Sequence, residues 1–323
     1  MKFVALGSDK ITLFGMESIR RTLWLVVFWL AVFGLEAAPV RVGVFDVDAS
    51  PPIGSPLAYV PTKGIDHPLR CTGVVIDGEG QPIVLCALDW IGISNGGYTA
   101  FREALAKGAG TVPVRVAVHT LHQHDAPRCD FSAQEILTKV GLKGVGFDTK
   151  HARQVIQQTA AAVKKALVEA QPVTHLGIGR GIIEKVASNR RILGADGKVE
   201  YIRWTATRDP KIRAFPAGTI DPELKMISFW NGGRAIAALT WYATHPQSYY
   251  RVGLVTPDFP GIARDARQKA TGVTHIHFNG AGGNIGAGKY NDGERENARI
   301  FAYREVVYKL ARMTSSTHLQ YNW

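Results

Sequence analysis

Short stretches rich in β-branched and aromatic residues alternate with longer stretches of helical periodicity along this 323-residue chain, from Arg41 onward. Such alternation is typical of α/β folds, in which helices cover the faces of a sheet. We therefore predict an α/β fold, with a mixed β-sheet core flanked by helices and a site at the C-terminal ends of the strands. The predicted strands cover residues 40–44, 72–76, 83–88, 114–120, 175–178, 225–230, 235–244 and 273–278.

Helical periodicity predicts helices over residues 98–107, 149–169, 260–269 and 294–313, with Asp148 as a cap and Pro260 in a first turn. No repeat or linker interrupts the pattern, so we predict one domain over residues 39–313. The polar, arginine-rich residues 193–217 are expected to form a surface excursion. No closing element follows residue 313, which indicates an incomplete domain with an unstructured tail over 314–323.

The N-terminal residues 1–38 have the layout of a secretory signal peptide. Arg20-Arg21 precedes an apolar run over residues 23–35, and Ala37-Ala38 offers a small-residue cleavage site. The run is shorter than the roughly 20 residues that span a bilayer core, which favours a cleaved signal over a permanent lipid-embedded anchor. Met16 is a second candidate start. We expect an extracytoplasmic protein, either secreted or periplasmic.

The chain is basic, with a net charge of +11 that falls to +10 when residues 1–38 are removed. The positive residues are scattered and form no single run, which favours weak attraction to anionic surfaces over nucleic-acid binding. We expect a small-molecule or lipid substrate and peripheral membrane contact. The sequence indicates neither a nucleic-acid partner nor an obligate protein partner.

Two of the three cysteines, Cys71 and Cys86, flank the turn-forming sequence Asp77-Gly78-Glu79-Gly80. A hairpin centred between Gly78 and Glu79 would place them opposite each other. An oxidising compartment would then allow a cross-strand disulfide. The alternative, which we favour, is that they are small buried apolar residues.

Histidines form the densest group of chemically active residues. His119, His122 and His124 follow the strand VRVAV, and His245 ends another apolar strand. If residues 122–124 are extended, the imidazoles of His122 and His124 point to the same side and can bind one metal ion. His245 supplies the third ligand of a catalytic Zn²⁺ site. A polar loop with satisfied imidazoles is the alternative.

Acidic and basic side chains at the predicted strand ends are further candidates. Asp89, Asp125 and Asp258 could support a metal ligand or act as a general base, and Asp258 is equally suited to cap a helix. Asn189 and Arg190 could bind a carboxylate or phosphate of the substrate, or be ordinary surface residues.

The glycine-rich stretch Gly283-Asn-Ile-Gly-Ala-Gly-Lys-Tyr290 differs from a Walker A phosphate loop at its last position. Tyr290 stands where a Ser or Thr hydroxyl would bind magnesium, and Asn291-Asp-Gly293 predicts a turn where that loop continues as a helix. We interpret the glycines, Gly283 among them, as allowing the backbone to approach a bound substrate.

Four motifs occur in the order in which they stand in the neutral/alkaline ceramidase family, and the chain resembles the N-terminal catalytic domain of that family over residues 40–313. A segment Asp221-Pro-Glu-Leu precedes the second of them. The motifs are His122-Gln-His124-Asp-Ala-Pro127, Ala243-Thr-His245-Pro246, Thr256-Pro-Asp258-Phe-Pro-Gly261 and the glycine-rich run from Gly280 to Ala287.

The resemblance implies an extracytoplasmic zinc amidase that cleaves the N-acyl bond of ceramide, with His122 and His245 as zinc ligands and His124 beside the metal. Asn284 and Gly286 stand at the positions of an Asp and a serine of the family, and Asn284 is a catalytic candidate on that basis. The remaining zinc ligands of the family, a Glu and a Tyr, lie beyond residue 323.

The sequence thus predicts a secreted zinc-dependent hydrolase in which a metal-activated water cleaves an N-acyl amide bond of a lipid-like substrate. The missing serine favours an alternative: a secreted binding protein that keeps the ceramidase-like fold without turnover.

Overall fold

A computed structural model describes residues 39–142, 144–310 and 317–319. The predicted signal peptide, residues 1–38, lies outside the described residues. In chain order, the strands in these ranges are β1 (Arg41–Asp48), β2 (Gly64–Ile65), β3 (Arg70–Asp77), β4 (Ile83–Leu88), β5 (Gly92–Ile93), β6 (Val116–Thr120), β7 (Arg128–Cys129), β8 (Gln171–Pro172), β9 (His175–Ile182), β10 (Ser188–Asn189), β11 (Arg191–Leu193), β12 (Val199–Ile202), β13 (Glu223–Asn231), β14 (Arg234–Tyr242), β15 (Leu254–Val255), β16 (Thr274–Asn279), β17 (Ile285–Gly286) and β18 (Thr317–Leu319). The helices are α1 (Asn95–Ala109), α2 (Phe131–Lys139), α3 (Thr149–Val168), α4 (Pro210–Ala214), α5 (Asp258–Thr271) and α6 (Glu296–Leu310).

Two five-stranded mixed sheets form the core, which confirms the predicted α/β class. The first has the order β6-β4-β3-β1-β8, and the second has the order β16-β14-β13-β9-β18. Each sheet is antiparallel except for one parallel pair at its edge, β4 with β6 and β14 with β16. The eight strands predicted from the sequence all lie in these two sheets.

The two sheets pack face to face because their strands alternate between two apolar faces. In β4, the side chains of Val84, Cys86 and Leu88 belong to the apolar cluster shared with the helices, whereas Leu85 and Ala87 pack toward the other sheet. Side chains of a strand point alternately to its two faces, so a strand buried on both sides is apolar at nearly every position.

Helices cover the outer face of each sheet. Helices α1 and α3 pack on the first sheet, and α3 begins where the Asp148 carboxylate accepts a hydrogen bond from the backbone N–H of His151, as predicted. Helices α5 and α6 pack on the second sheet through Phe259 and Phe301, whose rings meet edge to face. The layers are therefore helix, sheet, sheet, helix. Within the described residues, no helix has the length and apolar character needed to cross a membrane.

The two sheets are joined at the end where their parallel strands finish. Asn279, the last residue of β16, donates through its side chain to the carbonyl of Leu121, 2.7 Å away, just beyond the end of β6. Its backbone N–H donates to Nε2 of His119 at 3.2 Å. These bonds bring the C-terminal ends of β6 and β16 together, and the segments that follow the two parallel pairs meet there.

Some expected details differ in the structure. Residues Cys71 and Cys86 do not pair: Cys71 lies opposite Leu88 and Cys86 opposite Gly73, because the hairpin turn is centred one residue later than expected. Their Sγ atoms lie 3.5 Å apart, and both are free, buried thiols.

The excursion over residues 193–217 contains part of the β11–β12 hairpin and helix α4. Helix α2 was not predicted, because its sequence has no clear helical signal. In the predicted unstructured tail, residues Thr317–Leu319 pair with β9 as an added edge strand. The other tail residues lie outside the described ranges.

Close packing of α3 on β1 depends on the absence of a side chain at Gly43. A Cβ there would lie 1.8 Å from the carbonyl oxygen of Ala166 in α3. We expect Gly43→Ala to push α3 away from the sheet and to lower the free energy of unfolding by about 1–3 kcal/mol, measured by urea denaturation. Gly181→Ala, in β9 where nothing lies within 4 Å of an added Cβ, is the control and should change stability little. Equal stability of both variants would contradict this account.

Candidate functional site

His122 and His124 lie in the turn that follows β6, beside the end of β4. The backbone N–H of His122 bonds to the carbonyl of Trp90, and His122 has a left-handed backbone with φ of 65°. The expectation that residues 122–124 are extended is therefore wrong. The two rings nevertheless meet edge to face, with centroids 4.8 Å apart, because the left-handed residue turns the chain back on itself. A non-glycine residue in this conformation is strained and is typical of functional sites.

His245 joins these two histidines from the other sheet. It follows β14, and its backbone N–H bonds to the carbonyl of Ile285 in the glycine-rich stretch. Its ring centroid lies 4.8 Å from that of His122 and 5.1 Å from that of His124. One nitrogen from each of the three rings lies within 4.8 Å of the other two, so the three can share a metal ion.

The outward-facing nitrogens of these rings are hydrogen-bonded to their surroundings, whereas the inward Nε2 atoms of His124 and His245 face each other. Nδ1 of His122 lies 2.6 Å from the carbonyl oxygen of Ile91 and donates to it, and the ring of His245 bonds to the backbone of Gly282. Nδ1 of His124 is 3.0 Å from both the Tyr59 hydroxyl and the Gln247 side-chain amide. Metal-binding histidines are held in this way, with the second ring nitrogen bonded to a carbonyl or another polar group.

Electrostatics favour the neutral, metal-binding form of the histidines. Burial, followed by the nearby His122 and His245, lowers the pKa of His124 to about 3. Burial, followed by His122 and Arg190, lowers the pKa of His245 to about 4. The Nε2 atoms of His124 and His245 are 3.1 Å apart, close to the roughly 3.3 Å between two nitrogens bound to tetrahedral zinc. The three histidines therefore fit a metal ion.

Asp125 and Asp258 fix the backbone around His245. The Asp125 carboxylate accepts hydrogen bonds from the backbone N–H groups of residues 251–253 at 3.2–3.4 Å. Asp258 accepts from the N–H and hydroxyl of Ser248 at 2.8 and 2.6 Å and lies at the start of α5. Burial raises the pKa of both carboxyls, to about 6 for Asp258. Both hold the segment that carries His245, and their predicted catalytic roles stay predictions.

Asp89 lies behind the histidine turn in a fully buried ion pair. Both of its oxygens lie 2.9 Å from Nη1 of Arg264 in α5, and one accepts from the backbone N–H of Arg70. The Gln123 side chain, between the two histidines, lies 3.4 Å from the same carboxylate. The structure thus places Asp89 under the turn, where it connects the first sheet to α5.

Asn189, Arg190, Gly283 and Asn284 lie together on the other side of His245. Strand β10 pairs with β17, the Asn284 side chain donates to that of Asn189 at 2.7 Å, and the N–H of Arg190 bonds to the carbonyl of Asn284. The charge of Arg190 is close enough to lower the pKa of both His124 and His245. Nothing lies within 4 Å of a Cβ built on Gly283. These four residues border the histidines on one side.

Gly286, where the family resemblance implies a serine, lies against a candidate metal ligand. A Cβ at this position would be 3.8 Å from Cβ of His245, an ordinary contact. A side chain here would therefore lie beside the histidines, and this chain has none.

The lysine of the glycine-rich stretch is not available to a phosphate. Nζ of Lys289 donates to the carbonyls of Arg213 and Phe215. The next helix begins at Glu296, not at the lysine. Both findings agree with the turn expected after Tyr290 and disfavour a nucleotide loop.

Several residues near the histidines were not predicted. Gln247, Tyr250 and Arg251 follow His245 closely, and the polar and aromatic run that they form after a strand is a usable signal. Tyr59 comes from a distant loop, and no local pattern identifies it. Its ring stacks on His124, with centroids 5.9 Å apart and an interplanar angle of 15°.

A cavity of about 470 Å³ opens beside the loop that carries His245. Its wall includes Trp241, Ala243 and Ile285, with Asp221 and Lys225 among its polar residues. This volume is within the range of small-molecule sites.

Comparison with known proteins supports a ceramidase-like fold. Neutral ceramidase from Pseudomonas aeruginosa is similar over 86% of this chain, with a TM-score of 0.63 and 18% sequence identity. A ceramidase complexed with C2 is similar over 86% of this chain at 19% identity, also with a TM-score of 0.63. The chain spans less than half of these proteins, 45% and 44% of their lengths. A scan of protein-family models and a search of curated proteins found no match.

Replacement of two of the three histidines should abolish metal binding. We expect the double variant His122→Ala/His245→Ala to retain almost no zinc after dialysis, because one remaining imidazole cannot hold the ion. Metal analysis of the purified protein measures this. His119→Gln is the control, since His119 bonds to the N–H of Asn279 outside the three-histidine group. Unchanged zinc content in the double variant would show that the metal site is assigned wrongly.

The buried pair of Asp89 and Arg264 should matter for stability. We expect Arg264→Met to lower the free energy of unfolding by about 3–5 kcal/mol, because it leaves a buried carboxylate without its partner. Adding Asp89→Leu should recover part of this loss. Urea denaturation measures both effects, with Arg180→Met in the exposed pair with Glu223 as the control. A change below about 1 kcal/mol for Arg264→Met would contradict this role.

Proposed function

We propose that this chain is a zinc-dependent hydrolase that cleaves an N-acyl amide bond of a lipid-like substrate. The observation that carries the proposal is the convergence of His122, His124 and His245 at the strand ends of a ceramidase-like fold. The proposed substrate class is based on the two ceramidases to which the fold is similar. The signal-like sequence of residues 1–38 supports action outside the cytoplasm, with peripheral contact to a membrane.

The three histidines would hold the zinc ion, and residues of the chain keep them in position. When bound, zinc supplies a Lewis acid that lowers the pKa of water and polarises a carbonyl group. The carbonyl of Ile91 orients His122, and the Tyr59 hydroxyl and Gln247 orient His124. Burial keeps His124 and His245 unprotonated at neutral pH, as ligands must be.

Arg190 and Asn284 are suited to bind the reacting group. A guanidinium next to the histidines can stabilise the negative charge that develops on the acyl oxygen. The Asn284 side chain is held by Asn189. Because nothing lies within 4 Å of a Cβ built on Gly283, a substrate has room to approach the protein backbone there. The neighbouring cavity, with the apolar side chains of Trp241 and Ile285, supports an acyl chain as the other part of the substrate.

A second candidate function is that of a binding protein without turnover. It is favoured by Gly286, which has no side chain at the position beside His245, and by the carboxylates of Asp125 and Asp258, whose oxygens are bonded to backbone groups. A protein of this kind would bind a lipid-like amide and release it unchanged.

Hydrolysis of a fluorescent short-chain N-acyl sphingosine separates the two candidates. We expect the protein expressed from its complete reading frame to release the fatty acid in the presence of zinc, to stop when a chelator is added, and to recover when zinc is restored. His122→Ala should lower kcat/KM by at least about 100-fold, because it removes a metal ligand. Binding of the substrate without turnover by the zinc-loaded protein would instead establish the second function.

A further inference from the structure

Arg251 lies over two aromatic rings beside the candidate metal centre. The central carbon of its guanidinium is 4.8 Å from the ring centroid of Tyr59 and 5.1 Å from that of Tyr250. The two rings are themselves in contact, with centroids 5.3 Å apart. A cation over one ring is a common surface contact, but two rings hold this one in a defined place.

This group of three residues, Tyr59, Tyr250 and Arg251, is attached directly to His124. The Tyr59 hydroxyl bonds to Nδ1 of His124, and the Tyr250 ring meets the His124 ring edge to face at 5.6 Å. The guanidinium is therefore one side chain away from a candidate zinc ligand. A molecule that is bound at the histidines and extends past His124 toward Tyr59 would meet the guanidinium.

The backbone of Arg251 is fixed, while its charge is not neutralised. The Asp125 carboxylate accepts the backbone N–H of Arg251, which has a left-handed φ of 68°. Over the described ranges, no carboxylate lies within ion-pair distance of the guanidinium of Arg251 or of Arg190. Arg190, beside His124 and His245, and Arg251, beyond Tyr59, are thus two cations without an ion-pair partner near the three histidines. Such a site attracts an anion.

We propose that the substrate carries an oxyanion, a carboxylate or a phosphate, close to its scissile amide, and that Arg251 binds this group. Guanidinium forms two parallel hydrogen bonds with a carboxylate or phosphate, and stacking on Tyr59 and Tyr250 leaves its N–H groups available to do so. The inference deepens the proposed function and rests on it for the nature of the scissile bond. It adds that N-acyl substrates with an oxyanion are preferred over uncharged ones.

Matched ligands that cannot be cleaved test the binding step alone. Suitable ligands are the ketomethylene analogues of N-hexanoylglycine, of N-hexanoylethanolamine and of the phosphate ester of the latter, in which CH2 replaces the amide N–H. They share an acyl chain and differ in the terminal carboxylate, hydroxyl or phosphate. Titration calorimetry with the zinc-loaded protein measures each dissociation constant, and the two charged ligands show which oxyanion is preferred.

We expect at least one charged ligand to bind about 10- to 100-fold more tightly than the hydroxyl ligand, with an advantage that falls as salt concentration rises. Arg251→Gln should remove the advantage and leave binding of the hydroxyl ligand unchanged, and Arg251→Lys should keep part of it. Arg234→Gln is the control, because this exposed arginine lies at the opposite end of β14 from His245.

Equal binding of the three ligands to the unsubstituted protein would overturn the inference. So would a charged-ligand advantage that survives in Arg251→Gln, since zinc or Arg190 would then be its source. Circular dichroism of each variant confirms that it is folded, and Arg251→Lys gives an independent reading if Arg251→Gln is not. If the protein prefers the charged ligands but hydrolyses no amide, the proposed function is contradicted, whereas oxyanion binding by Arg251 is still supported.

Discussion

The candidate site exists because two sheets are fastened to each other where their parallel strands end. Asn279 bridges β16 to the chain beyond β6, with its amide on the Leu121 carbonyl and its N–H on His119. The histidine turn starts one residue after Leu121, and the glycine-rich stretch starts directly after Asn279. A pair of sheets that slid past each other at this end would separate His122 and His124 from His245. Face-to-face packing alone does not fix such a position, because apolar contacts are non-directional, whereas these hydrogen bonds fix one register.

The polar groups around the histidines divide into two kinds. The carboxylates bond to other groups of the protein. Asp89 pairs with Arg264, and Asp125 and Asp258 accept hydrogen bonds from backbone N–H groups. Two guanidinium groups have no acidic partner in the part of the chain that the structure describes: Arg190 lies beside the imidazoles, and Arg251 lies over Tyr59 and Tyr250. The carboxylates of the site thus hold its shape, and the unpaired charges that remain near the histidines are positive.

The sequence predicted the elements that carry the site better than the geometry within it. Short runs rich in β-branched and aromatic residues identified the main strands, and strand-end histidines are recognisable because an apolar run stops directly before them. The left-handed backbone of His122 could not be predicted, because it depends on the carbonyls of Trp90 and Ile91 from a neighbouring segment. Tyr59 reaches His124 across 65 residues of sequence, so no local pattern contains it. The hairpin of Cys71 and Cys86 shows the limit of turn rules, since a shift of the turn centre by one residue changes every partner.

One short segment, from His245 to Gly253, contributes much of what a bound molecule would meet. It carries a candidate metal ligand, the Gln247 amide and both Tyr250 and Arg251, yet it is held at its backbone by Asp125 and Asp258 from outside. Because Asp125 and Asp258 bind main-chain groups, their hydrogen bonds do not depend on most of the side chains between His245 and Gly253. A few codon changes between His245 and Gly253 would therefore alter the surface that a bound molecule meets, while the four-layer scaffold and the positions of the three histidines stay as they are.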